Sequence, residues 1–173
     1  LYVGSSNFAG WHIATAQATA RERGLLGLVS EQSIYNLINR SIETEVLPAA
    51  EANGLGVIAW SPLNGGLLGG AVKGDESGDR RLEGRAAEDL EKYRGALTEY
   101  EKLAGELGLS PATLALSWLL HRPGITAPII GPRTPDQFVT AMNSVSITLS
   151  AETLARLDEI FPGHLTAPEE YAW

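Results

Sequence analysis

Four apolar runs, Leu1 to Val3, Leu25 to Val29, Leu55 to Trp60 and Ile125 to Ile130, each lead straight into a small polar cluster. The clusters are Gly4-Ser5-Ser6-Asn7, Ser30-Glu31-Gln32, Trp60-Ser61-Pro62-Leu63 and Gly131-Pro132-Arg133-Thr134. A short apolar run with its polar groups held back to the C-terminal end is the pattern of a strand covered on both faces, as in a parallel sheet wrapped by helices. Helical stretches lie between the runs, and right-handed crossovers then make all four strands parallel and bring all four clusters to one rim. The predicted class is α/β, and that rim is where such a sheet builds a site.

The helices are read from periodicity and punctuation. Trp11 to Arg23 is Ala-rich, with Trp11, Ala14 and Ala18 on one face and Gly24 as its stop. Glu43 to Asn53 reads as the next helix, ended by Asn53-Gly54. Asn64 to Arg85, rich in Gly, Asp, Glu and Arg, is long for a connection, and is either a mobile lid or a variable surface loop. From Ala86 to Leu107 the apolar positions Leu90, Tyr93, Leu97, Tyr100, Ala104 and Leu107 recur three and four apart, as in one long amphipathic helix. Ser110-Pro111 opens a further helix with a cap and a first-turn proline, and Arg122-Pro123-Gly124 closes it. Pro128 demotes part of the fourth strand to an edge or to irregular pairing. Thr134-Pro135-Asp136-Gln137 carries cap, proline and capping-box glutamine, and Ser150 caps a last helix striped by Leu154, Leu157 and Phe161. The tail from Pro162 to Trp173 is irregular, and either closes over a site or packs on the fold. The sum is four strand-helix units at roughly thirty-residue steps, with one extra helix before the fourth strand and one after it.

At 173 residues and 44% hydrophobic, the chain can form one domain with a real core, yet it is well short of the ~250 residues of a closed eight-unit barrel. The absence of cysteine removes disulfides and thiolate metal sites, and His12, His121 and His164 are too far apart for ligand spacing, so no metal is expected. A formal charge of −8 opposes nonspecific binding to nucleic acid or membrane. No apolar run approaches the ~20 residues that span a bilayer, and the N-terminus lacks a charged lead region, so a cytoplasmic protein is the expectation. Leu1 stands where a native chain has Met and begins a strand without lead-in, which reads as a cut.

The clusters suit a dinucleotide. A nicotinamide carboxamide needs donors and acceptors, and Ser6, Asn7 and Gln32 supply both; Asn7 is equally a turn residue that tolerates a left-handed backbone. Trp60 stands at a strand tip, to stack on a flat ring or to pack in the core. In Ser61-Pro62-Leu63-Asn64-Gly65-Gly66 the glycines let backbone N–H groups approach a pyrophosphate, although this is neither a P-loop nor the spaced-glycine fingerprint of classical dinucleotide sites. Arg133 precedes a helix N-terminus and offers a charged fork of donors to a 2′-phosphate, which favours NADP over NAD; the alternative is a solvent-facing arginine beside a well-capped helix. Catalytic candidates are poor: nothing sets a lysine or histidine beside Glu31 or Tyr35, and His121 reads as a helix-terminus histidine.

Tyr2-Val3-Gly4-Ser5-Ser6-Asn7-Phe8, Glu31-Gln32-Ser33-Ile34-Tyr35-Asn36, Ala59-Trp60-Ser61-Pro62-Leu63 and Ile130-Gly131-Pro132-Arg133-Thr134-Pro135-Asp136-Gln137 together resemble the aldo-keto reductase family. The resemblance implies a (β/α)8 TIM barrel of which residues 1–173 are the C-terminal part of a single domain: four βα units plus two extra helices. It implies that Ser6, Asn7 and Gln32 hold the carboxamide of NADP and that Trp60 stacks on the nicotinamide. Ser61, Leu63 and Gly65 would line the pyrophosphate, and Gly131, Arg133, Thr134 and Gln137 the adenosine phosphate. Thr140 and Ala141 stand where the family has a Glu and an Asn against adenine, a departure. The family's catalytic Asp, Tyr, Lys and His lie on the first four strands, so this chain is expected to bind cofactor and to be inactive alone, while the complete enzyme transfers hydride between NADPH and an aldehyde or ketone. The alternative is a noncatalytic module of the same fold that senses NADP or binds a partner. The strand edges at Leu1 to Val3 and Ile125 to Ile130 are expected to drive self-association.

Overall fold

Four parallel strands, β1 (Val3–Ser6), β2 (Leu28–Ile34), β3 (Gly56–Trp60) and β4 (Ile125–Pro128), form one sheet in sequential order. The computed structural model of the chain describes residues 1–72, 85–166 and 169. Ser6 pairs with Gln32, Ile34 with Trp60 and Val57 with Ile125, so the C-terminal ends of all four strands lie along one edge.

The strands are covered on one face, not two. In β3, Val57 and Ala59 are fully buried while Gly56, Ile58 and Trp60 are half-buried, and in β2 Glu31 and Ser33 are buried while Gln32 is exposed. Register places Gly4, Ser30 and Gly56 side by side on the open face, and a Cβ on Gly4 would meet Ser30 Oγ at 2.3 Å. Glycine is what lets these rows close up.

The second strand corrects the sequence reading. Leu25 and Leu26 are exposed and Gly27 has a φ of 79°, so the apolar run expected over Leu25 to Val29 is mostly connection. The polar residues Ser30 to Ser33 lie inside β2, Ser30 to Gln32 paired on both sides and Ser33 with β3 alone. Likewise Gly4, Ser5 and Ser6 belong to β1 rather than following it.

Helices α1 (Gly10–Glu22), α2 (Val46–Ala52), α3 (Arg85–Glu106), α4 (Pro111–Leu120), α5 (Pro135–Asn143) and α6 (Ala151–Ile160) complete the fold among the described residues. The expected α1 face is rotated. Trp11 is exposed, and Gly10, Ile13, Gln17 and Ala20 are buried instead. A Cβ on Gly10 would lie 2.8 Å from Glu45 O, and Gln17 Oε1 accepts from Leu28 N at 2.7 Å, so close approach and a polar anchor decide the face. Glu43 to Asn53 divides into a 3-10 turn (Ser41–Glu43) and α2. The expected loop after Asn64 starts as a 3-10 segment (Asn64–Gly69) pinned by fully buried Leu67 and Leu68; residues 73–84 lie outside the described residues, and the lid reading with them.

The caps read from sequence form as hydrogen bonds: Ser110 Oγ accepts from Thr113 N at 3.0 Å and Ser150 Oγ from Thr153 N at 3.1 Å. Helix α4 is buried from Thr113 to Leu119, the centre of a core that includes Leu97, Tyr100, Trp118 and Leu157. No single helix among the described residues is long and apolar enough to cross a membrane.

A buried ionic cluster ties this helical layer together. Arg40 donates to Glu43 at 2.8 Å, to Asp158 at 2.5 Å and to Phe161 O at 2.7 Å; Arg122 donates to Tyr35 Oη at 3.1 Å and to Glu43 at 3.2 Å. Tyr35 donates to Glu43, and both guanidinium carbons lie over the Trp118 ring, 5.2 and 5.3 Å from its centroid. Burial opposes ionisation of Glu43, but the hydrogen bonds from Arg40 and Tyr35 and the two positive charges outweigh it and hold its carboxyl below the ordinary range. Burial, then the Glu43 hydrogen bond, pushes the Tyr35 hydroxyl far up.

Replacing Glu43 by Gln leaves two guanidinium groups short of a partner, and is expected to cost about 3 kcal/mol in urea unfolding at neutral pH. A depressed folded value means that Glu43 contributes stability above its ordinary 4.5 and loses it as pH falls through the lower folded value. The difference between the wild-type chain and Glu43→Gln therefore shrinks below pH 4.5, which unfolding curves across pH 3 to 7 would check.

Candidate functional site

The edge formed by the strand C-termini gathers residues from three segments through hydrogen bonds. Beyond β1, Asn7 takes a left-handed backbone with a φ of 56°. Its N–H donates to Gln32 O at 3.0 Å, and Ser6 Oγ donates to the same carbonyl at 3.0 Å. Asn7 Nδ2 donates to Ser6 Oγ at 3.2 Å, and Asn7 Oδ1 accepts from Trp60 Nε1 at 3.1 Å. Asn7 is thus both a left-handed turn residue and a link in a polar cluster. Trp60 is half-buried and outside the core cluster. The Gln32 side chain projects from the open face, exposed, and makes no hydrogen bond among the described residues.

The segment after β3 is a tight run of left-handed residues. Ser61, Asn64, Gly65 and Gly66 have φ values of 53°, 47°, 65° and 97°. A Cβ built on Gly65 or Gly66 would meet nothing within 4 Å, so this backbone faces open space. It is held from behind by asparagines that sequence reading left without a role. Asn36, fully buried, donates to Ser61 O at 2.9 Å and accepts from Ile38 N at 3.0 Å and Asn39 N at 2.8 Å; Asn39 Nδ2 donates to Asn64 Oδ1 at 3.0 Å. The spacing Asn36-x-x-Asn39 carried the signal, since an asparagine capping its own following amides is the mark of an Asx turn.

The fourth segment shares the edge but is joined to the others by no hydrogen bond among the described residues. Thr134 Oγ1 accepts from Gln137 N at 3.2 Å, as a helix cap does, and Pro135 occupies the first turn of α5. The expected capping box is displaced by one residue: Gln137 Oε1 accepts from Arg133 N at 2.8 Å, not from Thr134 N. The long glutamine reaches past the cap and so fixes the Arg133 backbone. Gly131, Arg133, Thr134 and Gln137 are all exposed, and the Arg133 guanidinium has no hydrogen bond or ion pair among the described residues.

Of the acid–base candidates read from the sequence, neither Tyr35 nor His121 faces this edge. Tyr35 is turned into the helical layer, where the charges beside it are Arg122 and Glu43 rather than lysine or histidine. His121 caps α4, its Nδ1 2.7 Å from Ser117 O and its Nε2 accepting from Leu149 N at 3.2 Å. An accepting Nε2 leaves the proton on Nδ1, a structural tautomer.

Comparison with known proteins adds the family. The model of the Aldo/keto reductase family matches residues 1–161, from before β1 to the end of α6. The chain belongs to the aldo/keto reductase family. It is 50% identical over 173 residues to "Uncharacterized oxidoreductase YrpG" of Bacillus subtilis, covering 99% of this chain and 52% of that protein. It is 30% identical over 175 residues to versiconal hemiacetal acetate reductase of Aspergillus parasiticus, covering 98% and 50%. A "Probable voltage-gated potassium channel subunit beta" of Oryza sativa subsp. japonica is 31% identical over 184 residues, covering 98% and 55%. The chain thus spans about half the length of these curated relatives. In this member of the family all four rim segments lie within the matched residues.

The asparagine support has a measurable consequence. Asn36→Ala strips partners from Ser61 O and from the amides of Ile38 and Asn39, and is expected to cost about 1–3 kcal/mol in chemical denaturation. Hydrogen exchange should quicken at Leu63 to Gly66 while β1 keeps its protection.

Proposed function

We propose that this chain carries the cofactor-binding part of an NADP(H)-dependent aldo-keto reductase, its four strands being half of a (β/α)8 barrel. The observation that carries the reading is the cluster of Ser6, Asn7, the Gln32 carbonyl and the Trp60 indole at one strand edge, where the Gln32 side chain is exposed. A carboxamide presents an acceptor oxygen and a donor nitrogen, and this set answers with both kinds of group. The bond from Trp60 Nε1 to Asn7 fixes the indole, whose half-exposed ring suits stacking on nicotinamide. Ser61 and Gly65 have left-handed backbone in the segment that also holds Leu63, where the open glycines Gly65 and Gly66 admit a pyrophosphate.

Gly131, Arg133, Thr134 and Gln137 would take the adenosine 2′-phosphate. Arg133 brings a guanidinium with no other partner among the described residues, and the α5 N-terminus brings a favourable dipole. Thr140 and Ala141 offer little to adenine, so most of the grip falls on the two phosphate regions. NADPH, when bound, supplies a hydride for the carbonyl carbon of an aldehyde or ketone. This chain's residues hold and orient; the proton donor is assigned to residues outside it, and the chain alone is inactive.

Titration against tryptophan fluorescence tests the reading. NADPH is expected to bind at least about tenfold more tightly than NADH, Arg133→Ala to erase that preference, and Trp60→Phe to remove most of the quenching. Equal affinities for the two cofactors would remove the assigned role of Arg133, and no binding of either would remove the cofactor site.

The same reading leaves β1 and β4 as edges awaiting strands. Leu1, Tyr2 and Val3 are exposed along one, and Ile129 beside the other. The isolated chain is expected to run as a dimer or larger species in sizing; a sharp monomer peak with cooperative melting would contradict it.

A further inference from the structure

Glu31 is fully buried in the middle of β2, on the face that packs against the helices, and no cation pairs with it among the described residues. Its carboxyl group accepts three hydrogen bonds instead: from Ser5 Oγ, from Ser33 Oγ at 2.7 Å and from Phe8 N at 3.1 Å. A carboxyl group in a dry layer without a counter-charge is costly unless its oxygens are satisfied, and elsewhere in the same layer the sheet uses Val57 and Ala59. An apolar residue would pack at this position without that cost. The placement of the three donors accounts for the exception.

Ser5 lies two residues before Asn7 and Phe8 one after it, so the carboxyl group staples the turn at the end of β1 from both sides. Between the staples, Asn7 holds its left-handed backbone and turns its Oδ1 to Trp60 Nε1. We propose that Glu31 is a positioning residue, which fixes the Asn7–Trp60 pair from behind the sheet without reaching the open face itself. Its consequence for cofactor affinity rests on the reading given under Proposed function; its consequence for the Asn7–Trp60 pair does not.

The two conservative replacements differ in what they keep. Gln at position 31 keeps an acceptor for Phe8 N and Ser33 Oγ, and its amide nitrogen can donate to the Ser5 hydroxyl, which is free to rotate. Ala keeps none of these and orphans the Phe8 N–H.

The test follows the Trp60 indole N–H resonance, assigned with Trp60→Phe, in the full-length protein, with the buried Trp118 indole as internal control and NADPH titration alongside. Glu31→Ala is expected to shift the Trp60 resonance and speed its exchange, leave Trp118 in place, and weaken NADPH binding by about tenfold. Glu31→Gln is expected to restore both to within about threefold of wild type. Ser5→Ala removes one staple only, keeps the fold should Glu31→Ala fail to fold, and should shift Trp60 in the same direction. An unmoved Trp60 resonance in Ser5→Ala, or in a folded Glu31→Ala, overturns the proposal. Shifts at Trp60 and Trp118 together in Ser5→Ala also overturn it, since they report general loosening. A Trp60 shift in a protein that never binds NADPH upholds the positioning role and overturns the cofactor reading instead.

Discussion

Parallel register is the constraint on which the rest depends. Because Ser6 lies beside Gln32, and Ile34 beside Trp60, residues far apart in sequence reach one edge without any long loop to carry them. The ladder also fixes which face each residue uses, since a slip by one would turn every side chain over. Glu31 and Ser33 would then exchange places with Gln32 and Ile34. The buried carboxyl of Glu31 resists that slip, because its three donors, Ser5 Oγ, Ser33 Oγ and Phe8 N, are set on the covered side.

The strands carry two sets of duties on their two faces. Val57, Ala59 and Tyr35 face the helical layer and make the core with Leu97, Tyr100 and Trp118. The open face mixes the small or polar Gly4, Ser6, Ser30, Gln32 and Gly56 with Ile34, Ile58 and Trp60. The ionic cluster around Arg40 and Glu43 belongs wholly to the covered side, joining the segment after β2 to α4 and α6. None of its hydrogen bonds reaches the rim residues, so a substitution in this cluster need not disturb the rim.

What was legible in the sequence follows from how local each signal is. Ser110, Thr134 and Ser150 announce helix starts because a cap needs only its own next three residues. Strand β2 was misplaced because Leu25 and Leu26 look like strand by composition, while the true strand is defined by partners 25 or more residues away. The face of α1 was misjudged for the same reason: Trp11 is the largest apolar residue there, yet Gly10 is what lets the helix meet Glu45. The cluster of Arg40, Glu43, Arg122 and Asp158 was invisible because its members are separated by up to 118 positions. The four rim clusters were found because polar residues interrupting apolar strands are rare enough to show without any partner in view. Only their exact seat, inside β1 and β2 instead of after them, had to come from the ladder.

Backbone strain supplies the last link between fold and site. Among the described residues, three that are not glycine have positive φ, Asn7, Ser61 and Asn64, and all three stand in the segments just beyond β1 and β3. Each such conformation costs on the order of 1 kcal/mol and persists only where the surroundings over-determine it. Each is held from more than one direction: Asn7 by Gln32 O and Trp60, Ser61 by Asn36 and by the Asn64 N–H, Asn64 by Asn39 and by the bond of its own N–H to Ser61 O. A chain that needed only to turn could have used glycine at these places, as it does at Gly24 and Gly54. Residues with side chains appear where the turn must also aim a group: the Asn7 amide at the indole, and the Asn64 amide back onto Asn39. The strained positions therefore mark where direction, and not merely reversal of the chain, is being specified.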